Sequence, residues 1–117
     1  EVEFYLNKKI ETKEDIQNAA KEFLSMGVKN IIITLGAKGV YFENKKENYF
    51  IDALSLKGEV IDTTGAGDAF NGALAVALSK DSNYKDAIIF ANKVGGISTT
   101  RLGAASSMPL LKEVAEY

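Results

Sequence analysis

The stretch Asp62-Thr63-Thr64-Gly65-Ala66-Gly67-Asp68-Ala69-Phe70-Asn71-Gly72-Ala73-Leu74 carries most of the information in this sequence. It follows a short candidate strand at residues 59–61 and leads into an apolar helix that we expect from about residue 66 to residue 79. The small residues 65–67 therefore fall at the N-terminus of that helix, where backbone N–H groups lack intrahelical acceptors. Together with the positive end of the helix dipole, these N–H groups predict an anion-binding site.

Asp68 is the unusual member of this stretch, because a carboxylate beside a bound anion repels it. An aspartate in the first turn of a helix commonly does no more than stabilise the helix dipole. A carboxylate beside a phosphate site can also receive the proton of an attacking hydroxyl in phosphoryl transfer, and spacing alone favours this second interpretation only slightly. The stretch is not a Walker loop, since no Lys-Ser/Thr pair follows the glycines, and it does not fit the dinucleotide fingerprint.

Composition limits the chemistry that the chain can perform. With 117 residues, 46% hydrophobic and 26% charged, the sequence is typical of one folded globular domain. The absence of cysteine and histidine excludes thiolate and imidazole metal sites and a Ser-His-Asp triad, so acid–base chemistry falls to Asp, Glu, Lys or Tyr. Cysteine-free composition also favours a reducing compartment, and we expect a cytoplasmic protein. The net charge of -2, with mixed signs and no long apolar run, predicts neither a nucleic-acid nor a membrane partner.

Helical patterns occupy both ends of the chain. Residues 1–6 predict a helix, and a second helix opens at Thr12, whose side chain can cap the backbone while Asp15 reaches back. Further helices are expected at about residues 84–99 and at residues 109–117, with Pro109 in the first helical position.

Strand patterns lie between these helices. The β-branched run at residues 30–34 lacks polar alternation, as expected for a strand covered on both faces, and with the preceding helix it predicts half of a βαβ unit. Residues 40–43 and 48–52 flank a polar turn at 44–47 and predict a β-hairpin. The coarse class is therefore α/β.

The eleven residues from 62 to 72 resemble the C-terminal signature of the ribokinase-like (PfkB) carbohydrate kinases. Thr34-Leu35-Gly36-Ala37-Lys38-Gly39 is similar to the nucleotide-binding strand end of that family, and Thr100-Arg101-Leu102-Gly103-Ala104 with Ser107 and Pro109 resembles its tail. The resemblance covers essentially the whole chain. It implies that residues 1–117 are the C-terminal portion of a single ribokinase-like three-layer α/β/α sandwich, whose N-terminal part supplies most sugar-binding residues and a β lid.

The resemblance assigns the phosphoryl-transfer chemistry to the helix N-terminus. Asp68 is the expected catalytic base, which contacts the substrate sugar and takes the proton of its hydroxyl. Gly65, Ala66 and Gly67 form the expected anion hole, where the N–H groups of Ala66, Gly67 and Asp68 stabilise charge on the transferred phosphoryl group.

The same resemblance places ATP along the segment Thr34-Leu35-Gly36-Ala37-Lys38-Gly39, with Gly67 and Asp68 also contacting the nucleotide. On spacing alone, a simple strand-to-hairpin turn is the favoured interpretation of residues 34–39. Asn92 falls where the family places a residue that contacts adenine, although isolated helical asparagines are usually just solvated. Mg²⁺ is expected to arrive with the nucleotide.

A monovalent cation site, typically for K⁺, is also implied beside the anion hole. Carbonyl and carboxylate oxygens suit such a hard cation, and Arg101 would contribute its carbonyl. The alternative is that Asp62 caps or pairs locally and that the loop is structural. The expected ligands are Asp62, Thr64, Ser98, Arg101, Gly103 and Ser107.

The resemblance implies transfer of the γ-phosphoryl group of ATP to a sugar hydroxymethyl group, and the tail favours ribose, giving ribose 5-phosphate. Fructokinase and ketodeoxygluconate kinase activities are the alternatives within the family. As an isolated fragment with an exposed strand edge, the chain would be an inactive nucleotide-binding module. The full-length enzyme is expected to be a homodimer.

Overall fold

A computed structural model describes all 117 residues, which form two compact units, Glu1–Asp52 and Ala53–Tyr117. The first unit contains helices α1 (Val2–Leu6) and α2 (Lys13–Ser25) and strands β1 (Asn30–Thr34), β2 (Val40–Asn44) and β3 (Asn48–Ile51). The second unit contains helices α3 (Ala66–Ser79), α4 (Tyr84–Ser98) and α5 (Leu111–Ala115). None of these helices combines the length and the hydrophobicity that a membrane crossing would require.

The start of α2 is fixed by a capping box, as its sequence predicts. The Thr12 hydroxyl accepts the Asp15 N–H at 3.1 Å, and the Asp15 carboxylate accepts the Thr12 N–H at 2.9 Å. These two bonds satisfy backbone groups that a helix N-terminus leaves without partners. The helix ends before Gly27, whose φ of 104° lies in the left-handed region.

The strands of the first unit form a three-stranded antiparallel sheet in the order β1-β2-β3. The hairpin between β2 and β3 confirms the prediction from the polar turn. Helix α2 packs Ile16 and Ala20 against Ile33 of β1 and Tyr41 of β2, which are opposite each other in the ladder. This cluster is the core of the first unit.

The helix-then-strand order of the predicted half βαβ unit is present in α2 and β1, but the prediction that β1 is covered on both faces is wrong for this chain. Strand β1 lies at the edge of the sheet and runs antiparallel to β2, and of its residues only Ile33 is fully buried. The reason is the connection at residues 35–39, which is too short for the crossover that parallel neighbours need. The β-branched run specifies a strand but does not specify its neighbour.

The second unit is built on the two long helices predicted from sequence, α3 and α4, which contact each other extensively. Helix α3 has the predicted bounds, and α4 is capped by Asn83, whose side chain accepts the Asp86 N–H at 2.9 Å. Close approach of the two helices is possible because Gly95 of α4 lies against the Ala66 carbonyl and Phe70 of α3.

Two secondary-structure predictions for the second unit are wrong. Residues 59–61 form neither a strand nor a helix, and Val60 and Ile61 are each 59% exposed because no neighbouring strand covers them. The last helix begins at Leu111 and not at Pro109. Its start is set by Glu113, whose carboxylate accepts the N–H of Leu110 and so fixes the N-cap there.

Candidate functional site

The turn at residues 62–68, here called the Gly65 turn, leads directly into α3. Gly65 is the N-cap and has a φ of 76°. The N–H groups of Gly67 and Asp68 have no acceptor within the protein, and both residues are exposed. The Ala66 N–H, which was expected to face the anion, instead donates to the Thr63 carbonyl at 3.2 Å. Two of the three expected N–H groups are therefore available to an anion.

The Asp62 carboxylate ties the Gly65 turn to a distant loop. Its Oδ1 accepts the Thr64 N–H at 2.9 Å, and its Oδ2 accepts the Gly103 N–H at 3.1 Å. Hydrogen bonding from Thr64, by its side chain and then by its N–H, and from Gly103 holds the pKa of Asp62 below its ordinary value. The local pairing weighed as the alternative for Asp62 is thus present in the structure.

Close packing also holds the turn in place. A Cβ on Gly65 would lie 3.0 Å from the Cβ of Ala104 and 3.2 Å from its Cα. A Cβ on Gly95 would lie 3.2 Å from the Ala66 carbonyl oxygen. The sequence indicates that Gly65 lies in a turn, but it does not indicate that Ala104 packs against Gly65 or that Gly95 packs against Ala66.

Asp68 is exposed, and its carboxylate makes no hydrogen bond or ion pair within the protein. Its side chain lies at a groove of about 600 Å³ along α3. The lining is mostly hydrocarbon, from Ala69, Ala73, Val76, Phe90, Val94, Met108, Leu111 and Val114 among others. Such a surface does not match the hydroxyls of a sugar, which need hydrogen-bonding partners when buried. The sequence predicts an apolar face on α3, but not that Val76 on this face remains 49% exposed.

The remaining residues expected to bind a monovalent cation belong to the same loop region. Ser98 and Ser107 are buried, and their hydroxyls donate to the carbonyls of Gly95 and Ala104 at 2.8 and 2.6 Å. The Arg101 guanidinium is paired with Glu113, which leaves only the carbonyl of Arg101 for a cation. No cluster of three or more acidic side chains is present. The oxygens that remain available to a cation are backbone carbonyls and the second lone pair of each Asp62 oxygen.

In the first unit, residues 34–39, here called the Gly36 turn, connect β1 to β2 through a 3₁₀ turn at Gly36–Lys38. The Leu35 N–H donates to the Gly39 carbonyl at 2.8 Å, and the Gly39 N–H donates to the Gly36 carbonyl at 3.1 Å. Gly36, Ala37 and Lys38 are exposed, whereas Gly39 is buried. In the second unit, Asn92 is half-buried on α4.

Helix α3 thus opens with exposed N–H groups, which suit an anion such as a phosphate, beside an exposed carboxylate. The chain belongs to the pfkB family of carbohydrate kinases, because the model of that family matches residues 1–111.

Similar proteins agree with this assignment. A ribokinase of Staphylococcus aureus is 41% identical over 115 residues, which are 97% of this chain and 37% of that enzyme. A crystal structure of ribokinase from Thermotoga maritima matches at 43% identity with a TM-score of 0.85, over 97% of this chain and 36% of that protein. A structure of Arabidopsis thaliana ribokinase complexed with ribose and ATP matches at 32% identity with a TM-score of 0.85, over 91% of this chain and 34% of that protein. The chain thus spans a little over a third of these relatives.

Proposed function

We propose that this chain carries the phosphoryl-transfer site of an ATP-dependent sugar kinase and that the acceptor is ribose, which becomes ribose 5-phosphate. The observation that carries the proposal is the start of α3, where the unpaired N–H groups of Gly67 and Asp68 and the unpaired Asp68 carboxylate occur together. Because the chain belongs to the carbohydrate kinase family, we interpret this arrangement as a phosphoryl-transfer site.

The Asp68 carboxylate acts as the base for the sugar's primary hydroxyl. An alcohol is far less acidic than a carboxylic acid, so the proton moves late, as the sugar oxygen bonds to the γ-phosphorus and the bond to the leaving ADP oxygen breaks. The N–H groups of Gly67 and Asp68 donate to the phosphoryl oxygens and stabilise the negative charge on the phosphoryl group while it is transferred. Because both groups are fixed before the reaction, they need no reorganisation during it.

The nucleotide is proposed to contact the Gly36 turn, Gly67, Asp68 and, through adenine, Asn92. The exposure of residues 36–38 supports this role, since a phosphate or ribose can approach them closely. Mg²⁺ bound to ATP would neutralise phosphate charge during the transfer.

A monovalent cation such as K⁺ is proposed to bind between the Gly65 turn and the loop that contains Gly103. The support is the set of oxygens at Asp62, Thr64, Ser98, Arg101, Gly103 and Ser107; the bond from the Gly103 N–H occupies only one lone pair of Asp62. Kinase rates compared in K⁺ and in a large organic cation test this site. Equal rates in both would contradict it.

The proposed function is tested by a coupled ATP assay of the full-length protein with ribose, fructose and ketodeoxygluconate, with nucleotide binding measured in parallel. Turnover is expected, and it should be fastest with ribose. A higher kcat/KM for another sugar would change the acceptor and leave the reaction unchanged. Nucleotide binding without turnover of any sugar would contradict the kinase proposal and favour a binding module. A homodimer and a cytoplasmic location stay predictions, the first of which sedimentation would check.

A further inference from the structure

We propose that the ion pair between Arg101 and Glu113 positions the Gly65 turn for phosphoryl transfer, so that both are positioning residues of the reaction. This inference rests on the proposed function. It assigns a role to the C-terminal helix α5, which the expected catalytic and binding residues do not include.

The first step is the link between α5 and the loop at residues 99–107, here called the clamp loop. The Arg101 Nη2 lies 2.6 Å from the Glu113 Oε1, and the two side chains are 38% and 31% exposed. The other carboxylate oxygen of Glu113 accepts the Leu110 N–H. Hydrogen bonds from Arg101 and then from Leu110 hold the pKa of Glu113 below its usual value, as expected for a carboxylate engaged on both oxygens.

The second step is the link between the clamp loop and the Gly65 turn. The Thr99 carbonyl accepts the N–H groups of Ile61 and Asp62 at 2.8 and 3.1 Å. The Gly103 N–H donates to the Asp62 carboxylate, which also holds the Thr64 N–H. Ala104 packs against Gly65 with no room for another carbon. A shift of the clamp loop therefore displaces the residues that orient the N–H groups of the Gly65 turn.

The third step is that the middle of the clamp loop is otherwise held mainly by its own residues, where the Ser106 hydroxyl donates to the Leu102 carbonyl at 3.2 Å. The N–H groups of Thr100 and Arg101 bond to the carbonyls of Ile97 and Ser98, which tie only the first part of the loop to α4. Leu102 is 74% exposed and so contributes little packing. The guanidinium of Arg101 bonds to Glu113 and so anchors the clamp loop, close in sequence to Gly103, to the separate helix α5. Charge-assisted bonds of this kind are stronger than neutral ones.

The test uses Arg101→Met in the full-length protein, which removes the guanidinium while leaving the cap of α5 intact. We expect hydrogen exchange at the Gly103 and Thr64 N–H groups to accelerate by about tenfold, and kcat to fall by about tenfold with KM for the sugar unchanged, because misplaced groups act on the transition state. Arg101→Lys, which retains the charge, should recover at least part of the loss. Lys8→Met is the matched control, since it breaks an ion pair of the same 2.6 Å length in the first unit.

Exchange and kinetics separate the inference from the proposed function. Unchanged exchange at Gly103 and Thr64 in Arg101→Met, or an equal change in Lys8→Met, overturns the positioning role. A fall in kcat that tracks only a loss of folded protein also overturns it. If the wild type phosphorylates no sugar, the proposed function is overturned, and with it the role of the ion pair in the reaction. The exchange data would still show whether the ion pair holds the clamp loop and the Gly65 turn in place.

Discussion

The Gly36 turn and the Gly65 turn each contain a glycine with positive φ, at 57° and 76°, yet they are held in different ways. The Gly36 turn closes on itself, with hydrogen bonds between Leu35 and Gly39 and between Gly36 and Gly39. The Gly65 turn depends on Gly103 and Ala104, which lie about forty residues further along the chain. The Gly36 turn, which is held by its own residues, should tolerate substitutions elsewhere in the chain. The Gly65 turn, which is held by residues distant in sequence, should be displaced by substitutions at those residues.

The largest expected effect comes from removing the charge of Asp68 without altering the backbone of the Gly65 turn. Asp68→Asn should lower kcat by about 10²–10⁴-fold, the range for loss of a positioned base. The measurement is steady-state kinetics of the full-length protein with ATP and the preferred sugar. Asp81→Asn, at the other end of α3, makes the same chemical change at an exposed site and should leave kcat unchanged. Near-normal turnover of Asp68→Asn would rule out its assigned role.

A paired glycine substitution compares the two turns directly. Gly65→Ala combines a positive φ with a clash against Ala104, so both stability and kcat should fall, the latter by about 10–100-fold for a displaced anion site. A Cβ at Gly36 meets no protein atom within 4 Å, so Gly36→Ala should cost about 1–2 kcal/mol of backbone strain and raise the KM for ATP, with little change in kcat. Urea unfolding and kinetics would check both variants. Equal losses of kcat in the two would mean that the distant contacts do not distinguish these turns.

The support beneath the Gly65 turn can be tested by stability alone. Gly95→Ala pushes a methyl group toward the Ala66 carbonyl and Phe70 and should destabilise the protein by about 1–3 kcal/mol. Gly72→Ala, an exposed position within α3 with open space around it, should stabilise the protein by about 0.5–1 kcal/mol. Free energies of unfolding from urea titrations give the comparison, and the same sign for both changes would contradict it.

The smallest effect concerns pH. The lowered pKa of Asp62 means that its contribution to stability is present above its unfolded value of 3.8 and is lost as pH falls through the lower folded value. The urea midpoints of the wild type and Asp62→Asn should therefore differ at neutral pH and converge below 3.8. Comparing the two proteins removes the parallel contributions of Asp15 and Glu113, whose pKa values are also lowered. A difference that is independent of pH would contradict the hydrogen-bonding role of the carboxylate.

Much of the local structure could be predicted, because it depends on neighbouring residues. The Thr12–Asp15 capping box, the bounds of α3 and the hairpin at residues 44–47 all follow from short-range patterns. The pairing of β1 was not predictable from its own residues, since a β-branched run fits either a parallel or an antiparallel neighbour. The strand predicted at residues 59–61 is absent for the same reason, because strand formation needs a partner as well as a suitable sequence.

The sequence by itself determined that a helix starts after Gly65 and places an acidic side chain at Asp68, because capping and helical spacing act within a few residues. Only the tertiary structure decided which N–H groups remain available, since Ala66 donates to Thr63 whereas Gly67 and Asp68 do not bond internally. It also decided what holds the turn, through Gly103, Ala104 and the Arg101–Glu113 pair. These contacts join residues that are distant in sequence, and their geometry is set by the packing of loops and helices that no local pattern specifies.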